Sequence, residues 1–167
     1  RGMFAVAIWD NRRKRLVLAR DRIGKKPLFY AVTKSSLVFA SELRCLLTIK
    51  DLPREINPAA IDAFLTLQYI PSPISIFKAV NKLEPASVLV CENGQVMVEK
   101  YWDLPVGKEK LGHVPLPELK ERLKAELSEA VKIRLMSEVP LGAFLSGGID
   151  SSIVTALMAR HSDQPVK

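Results

Sequence analysis

The sequence has few of the residues that build metal or disulfide frameworks. Its two cysteines, Cys45 and Cys91, lie far apart, outside any CxxC spacing and without a Cys/His cluster. That argues against a disulfide scaffold and against a zinc site, and makes a reducing cytoplasm the default setting. The two histidines, His113 and His161, stand alone in polar segments and read as bystanders rather than as bases. No apolar run reaches the roughly 18–20 residues that a bilayer demands, so no membrane partner is expected. The run Met3-Phe-Ala-Val-Ala-Ile8 is short, and Trp9, Asp10 and a basic stretch follow it with no small-residue cleavage site. A secretory signal is therefore rejected.

Net positive charge is also absent from most of the chain. The formal net charge is +7, from 25 Lys+Arg and 18 Asp+Glu among 167 residues. Residues 1–26 hold nine bases against two acids, Asp10 and Asp21, and so carry all of it; the other residues hold 16 of each sign. A nucleic-acid binder would repeat its charge along the chain, so no nucleic-acid partner is expected, and Arg12 to Arg15 read as a solvated hairpin tip. What is present is 48% apolar residues, enough for a core and too many for a disordered chain. The length allows one ordinary domain or two small ones.

The first forty residues alternate apolar runs and turn clusters. Phe4–Ile8, Leu16–Ala19, Leu28–Val32 and Leu37–Ala40 read as strands. Their connections of three to eight residues favour an antiparallel meander. Glu42–Leu47 reads as a short helix that Ser41 caps. Asn57-Pro58 opens a second helix, whose apolar face is Ala60, Ile61, Phe64, Leu65 and Leu67, and Pro71 and Pro73 end it. Val88–Cys91 and Val96–Val98 flank Glu92-Asn93-Gly94-Gln95, a strong hairpin signal. A domain ends near Trp102, and the Pro- and Gly-rich segment after it reads as a linker. Phe64, Tyr69, Phe77 and Trp102 read as core or interface aromatics.

The second part opens with a helix over 117–137, with a stripe of Leu119, Leu123, Leu127, Val131 and Leu135 expected to be buried. Leu141-Gly-Ala-Phe-Leu145 suits a buried parallel strand. Ser146-Gly-Gly-Ile-Asp-Ser-Ser follows, and a helix over 153–160 turns Ile153, Val154, Leu157 and Met158 inward. Two glycines let backbone approach a ligand closely, and N–H groups with Ser hydroxyls at a helix start attract anions. Asp150 fits a phosphate site when a divalent cation bridges carboxylate and phosphate oxygens. The loop lacks GxxxxGK[ST], so it is not a P-loop that grips phosphates with Lys.

Ser146-Gly-Gly-Ile-Asp-Ser151 resembles the SGGxDS pyrophosphate loop of the N-type ATP pyrophosphatases. Arg1-Gly-Met-Phe-Ala5, Ala19-Arg-Asp-Arg-Ile-Gly-Lys-Lys-Pro-Leu-Phe-Tyr30 and Ala40-Ser-Glu-Leu43 resemble the later half of a class II glutaminase domain. In that order the pair resembles the glutamine-hydrolysing asparagine synthetase family. Tyr69-Ile-Pro, Ile76-Phe-Lys, Lys82-Leu-Glu-Pro85, Tyr101-Trp-Asp103 and Glu138–Gly148 add to the likeness, which covers nearly the whole chain.

The resemblance implies an α+β antiparallel-sheet glutaminase part over residues 1–103, a linker over 104–116, and the start of an α/β parallel-sheet ATP-pyrophosphatase domain over 117–167. It implies glutamine hydrolysis at one site and, at another, adenylation of aspartate by ATP with release of pyrophosphate. Ammonia passed through an internal tunnel then displaces AMP. Ser146, Gly147, Gly148, Asp150 and Ser151 would line the ATP phosphates, with Asp150 nearest Mg²⁺. Phe144 and Leu145 would lie near the adenosine through their backbone. ATP, aspartate and glutamine are the implied small molecules, and the full-length protein is allowed to be a homodimer.

The family's glutaminase nucleophile is an N-terminal Cys, whereas residue 1 is Arg and neither Cys45 nor Cys91 matches. The chain reads as an internal fragment, inactive by itself, with no catalytic residue assigned. Two alternatives remain. One is a related amidotransferase that adenylates another carboxylate, β-lactam synthetase-like or glycan-modifying. The other is a truncated, non-catalytic interaction module. Arg20-Asp21-Arg22, with Gly24 and Pro27, reads as a structural ion-pair network rather than chemistry.

Overall fold

The computed structural model describes residues 2–106 and 114–167. Two compact units divide the chain, the first ending at Val106. Most of the expected linker, together with Arg1 and His113, lies outside the described residues.

In the first unit β1 (Ala5–Asp10) and β2 (Arg15–Arg20) pair antiparallel. The Asp10 carboxylate locks the turn between them by accepting the Arg12 and Arg13 N–H groups, each at 3.0 Å. A second hairpin joins β6 (Ser87–Glu92) to β7 (Gln95–Lys100). Its turn residues Asn93 and Gly94 have φ of 51° and 76°, the backbone that a tight Asn-Gly hairpin uses.

The four strands form one sheet in the order β1-β2-β6-β7. The expected continuous meander is therefore corrected. After β2 the chain leaves the sheet, and β3 (Phe29–Val32) and β4 (Leu37–Ala40) build a second sheet in the order β4-β3-β5. The edge strand β5 is only Asn81–Lys82, too short and polar to carry a strand signal.

The physical reason for the switch is the turn at Asp21–Leu28. Arg20 and Asp21 bind its backbone so completely that it acts as a rigid corner rather than a hairpin tip. Alternation along β3 then serves two clusters. Tyr30 packs on Leu18, Leu28, Leu83 and Leu89, while Phe29 joins Ala31, Leu46, Leu52 and Val80. Each fully buried Leu among these contributes about 2 kcal/mol of burial free energy.

The short helix α1 (Leu43–Leu46) closes the second cluster. Its cap position is Glu42, with no side-chain bond, so the expected Ser41 cap does not form. Helix α2 (Pro58–Leu67) does start on Asn57, whose Oδ1 accepts the Ala59 N–H at 3.2 Å. Only Ala60 of its apolar face is buried; Ile61, Phe64, Leu65 and Leu67 are exposed.

Gly24 sits at the tight point of the corner, with φ of +69°, and a Cβ there would lie 2.9 Å from Pro85 Cγ and 3.1 Å from the Arg20 guanidinium carbon. Gly24→Ala is expected to destabilise this unit by about 2–3 kcal/mol in urea unfolding, from left-handed strain plus overpacking. Gly94→Ala is the control: its φ is +76° but nothing lies within 4 Å, so strain alone of about 1 kcal/mol remains.

The second unit contains α3 (Leu116–Lys132) and α4 (Ile149–His161), which pack on each other. Helix α3 ends five residues before the expected 137, and none of its residues is fully buried; Leu123 is 60% exposed. Helix α4 buries Met158, while Ile153 and Val154 stay largely exposed. The expected strand at Leu141–Leu145 is not formed. A parallel strand requires ladder partners, and here Ala143 N–H donates to the Lys167 carbonyl at 2.9 Å without a ladder developing. No helix among the described residues is long and apolar enough to cross a membrane.

Candidate functional site

The candidate phosphate loop runs from Phe144 into the first turn of α4. Gly147 has φ of +83°, in the left-handed region that favours glycine. A Cβ there would meet nothing within 4 Å, so the requirement is for backbone shape rather than room. Gly148 occupies the cap position of α4 in an extended conformation, with no side chain to satisfy the first-turn N–H groups. The helix begins four residues earlier than expected. Asp150, Ser151 and Ser152 therefore stand in its first turn, where the helix dipole favours anions.

The structure brings Ser146 and Ser151 together: their Oγ atoms are 3.0 Å apart. The Ser151 and Ser152 hydroxyls donate to the Gly148 carbonyl at 3.1 and 2.8 Å. Those two bonds hold the loop onto the helix start. Asp150 is exposed beside them. Phe144 is completely exposed and Leu145 largely so, so neither side chain is packed in this unit. Among the described residues, no group of three or more His, Cys, Asp or Glu could by itself hold a metal ion. A cation here would rest on one carboxylate and would need further oxygens from a phosphate, an arrangement the chemistry of Mg²⁺ permits.

In the first unit, the Arg20-Asp21-Arg22 segment is a backbone clamp and not the expected ion-pair network. Arg20 donates from Nε to the Lys26 carbonyl at 2.8 Å, from Nη1 to Leu83 at 2.6 Å and from Nη2 to Gly24 at 2.8 Å. The buried Asp21 carboxylate accepts four backbone N–H groups, Ile23 and Lys25 on Oδ1 and Phe4 and Lys26 on Oδ2, at 3.0–3.3 Å. Burial alone pushes its pKa up, but the four donors together outweigh it and hold the carboxyl below its ordinary value. Arg22 instead lies over the Trp102 ring, 5.1 Å from its centroid.

Tyr101 and Lys82 stand in motifs that carry the family resemblance, but nothing in those motifs gives either a role. The Tyr101 hydroxyl donates to the Arg20 carbonyl at 2.8 Å, and Lys82 lines a cleft with Arg20. Both meet Arg20 from far along the chain. Cys45 is exposed and Cys91 half-buried, and both are free thiols.

The glutamine amidotransferase domain model matches residues 1–102. The chain belongs to that family. The asparagine synthase model matches residues 122–167, which include the loop. Over 166 residues the chain is 39% identical to a putative glutamine-hydrolysing asparagine synthetase of Methanocaldococcus jannaschii, covering 97% of this chain and 32% of that protein. It is 32% identical over 167 residues to an asparagine synthetase of Bacillus subtilis, covering 99% and 27%. A Gibberella zeae protein named amidase chry2 is 32% identical over 169 residues, covering 100% and 25%. The chain thus spans about a third or less of the length of these relatives.

Proposed function

We propose that this chain is the junction of a glutamine-dependent, ATP-consuming asparagine synthetase. Residues 1–103 would be glutaminase, 104–116 a linker, and 117–167 the opening of a parallel-sheet ATP-pyrophosphatase domain. The observation that carries the reading is the paired Ser146 and Ser151 hydroxyls at the start of a helix whose glycine cap leaves its N–H groups to a ligand.

In this reading, Ser146, Gly147, Gly148 and Ser151 orient the ATP phosphates, and backbone at Phe144 and Leu145 lies beside the adenosine. The aspartate side-chain carboxylate attacks the α-phosphorus, the bond to the bridging oxygen breaks, and pyrophosphate leaves. Ammonia then attacks the acyl carbon, AMP departs and asparagine remains. The loop's donors stabilise charge that develops on the leaving pyrophosphate. Bound Mg²⁺, which Asp150 would help hold, supplies electrostatic stabilisation of the same oxygens. The cytoplasm supplies all the substrates.

Full-length protein given aspartate, glutamine and ATP is expected to form one AMP and one pyrophosphate per asparagine. Pyrophosphate release that ignores aspartate but depends on another carboxylate moves the acceptor. Release with no carboxylate tested, or none at all, overturns the proposal.

A further inference from the structure

A second cleft, in the first unit, has chemistry that the phosphate loop does not use. It measures about 340 Å³, and its lining includes Arg20, Lys82, Phe29, Tyr69 and Pro71. Two cations line it, and no carboxylate does among the described residues. Arg20 is fixed there by its three bonds to neutral carbonyls. Lys82, on β5, donates from Nζ to the Ile70 carbonyl.

Asp21, next to Arg20 in sequence, does not line the cleft, and both oxygens of its carboxylate face backbone N–H groups; its charge still acts on Arg20 through space. Nor are the cations saturated. A guanidinium has five N–H groups and an ammonium three, so each keeps two beyond the bonds described. Burial first, and the Arg20 charge second, lower the Lys82 pKa, as expected for two like charges facing a shared space. Apart from Ser72, the remaining wall is apolar, with Phe29, Tyr69 and two proline rings among it, which suits an apolar body rather than a hydrated ion.

We propose that this cleft binds a small organic carboxylate, with its oxyanion between Lys82 and Arg20 and its apolar part against Phe29 and Pro71. Charge-assisted bonds from two cations give the anion its orientation, and the rings give selectivity over inorganic ions. The site is separate from the phosphate loop and does not depend on asparagine synthesis.

The test is an NMR titration of the 167-residue chain at low salt and about pH 6, where both cations are charged. Benzoate, benzamide and inorganic phosphate are the probes. Benzoate is expected to shift the Lys82 and Phe29 signals saturably and to raise the pH at which the Lys82 ammonium titrates. Benzamide, its neutral isostere, is expected to bind at least about 10-fold more weakly, as is benzoate to Lys82→Met, the loss of one charge-assisted contact. Equal binding of benzamide, tighter binding of phosphate, full affinity in Lys82→Met, or no saturable binding of benzoate overturns the proposal. If Lys82→Met does not fold, the Lys82 titration in the unmodified chain decides: no upward shift with benzoate overturns it.

Discussion

Replacing Asp21 with Ala is expected to remove about 3–4 kcal/mol from the unfolding free energy of the first unit. The carboxylate is almost fully buried and is the acceptor for four backbone N–H groups, which lose that acceptor together. A buried donor left unpaired costs about 1–3 kcal/mol, and partial relaxation of the turn keeps the total below the sum. For a domain whose whole stability is about 5–15 kcal/mol, that loss is large. Asp21→Asn separates the two halves of the clamp. Its amide oxygen still accepts the Ile23 and Lys25 N–H groups, while its NH₂ faces the Phe4 and Lys26 donors. About half the loss is expected, and urea unfolding midpoints read both variants. An Asp21→Ala midpoint equal to that of the unmodified chain would remove the clamp from this account.

The same carboxylate gives the unit a pH dependence. Its folded pKa lies below the ordinary 3.8. The unfolded chain therefore takes up a proton first as pH falls. The stabilisation is complete above about pH 5 and is lost as pH drops through the unfolded and then the folded value. Asp21→Ala should flatten this acid limb, leaving a weaker one from other carboxylates such as the half-buried Asp10, which backbone bonds from Arg13 and Arg12 also hold low.

Asp150→Ala in the full-length protein is expected to lower aspartate-dependent pyrophosphate release by about 100-fold or more, the scale of removing one electrostatic partner of a phosphoryl-transfer centre. Ammonia release from glutamine should be unchanged, because the proposed reading gives that chemistry to the other domain. Asp150 is exposed in the first turn of α4, so its loss takes away no packing. A fall in rate is then a fall in catalysis and not in folded protein, which the unchanged melting temperature checks. Equal pyrophosphate release by Asp150→Ala and the unmodified protein would sink the role given to this carboxylate.

Local chemistry made several elements readable in advance. Asn57-Pro58 marks a helix start because its cap and first-turn preferences involve only neighbouring residues. Asn93-Gly94 marks a hairpin because both residues tolerate positive φ. The loop from Ser146 to Ser152 could be recognised for a similar reason: its glycines, hydroxyls and acid lie within seven residues. The helix starts at Ile149 rather than at Ile153, since Asp150, Ser151 and Ser152 can sit equally in a loop or in a first turn, and the decision rests on the Ser151 and Ser152 hydroxyl bonds to the Gly148 carbonyl.

The amino-acid order alone determined the strand and helix segments of the first unit other than β5, the net charge confined to residues 1–26, and the Ser146–Ser152 motif, because each can be read within a few residues. Only the tertiary structure decided that β2 pairs with β6 rather than β3, that Arg20 and Asp21 clamp backbone rather than each other, and that Lys82 shares a cleft with Arg20. The strand pairing, the Arg20–Leu83 bond and the shared cleft join residues sixty or more positions apart. They follow from which buried donors and acceptors can be satisfied together, and no local pattern in the chain records that.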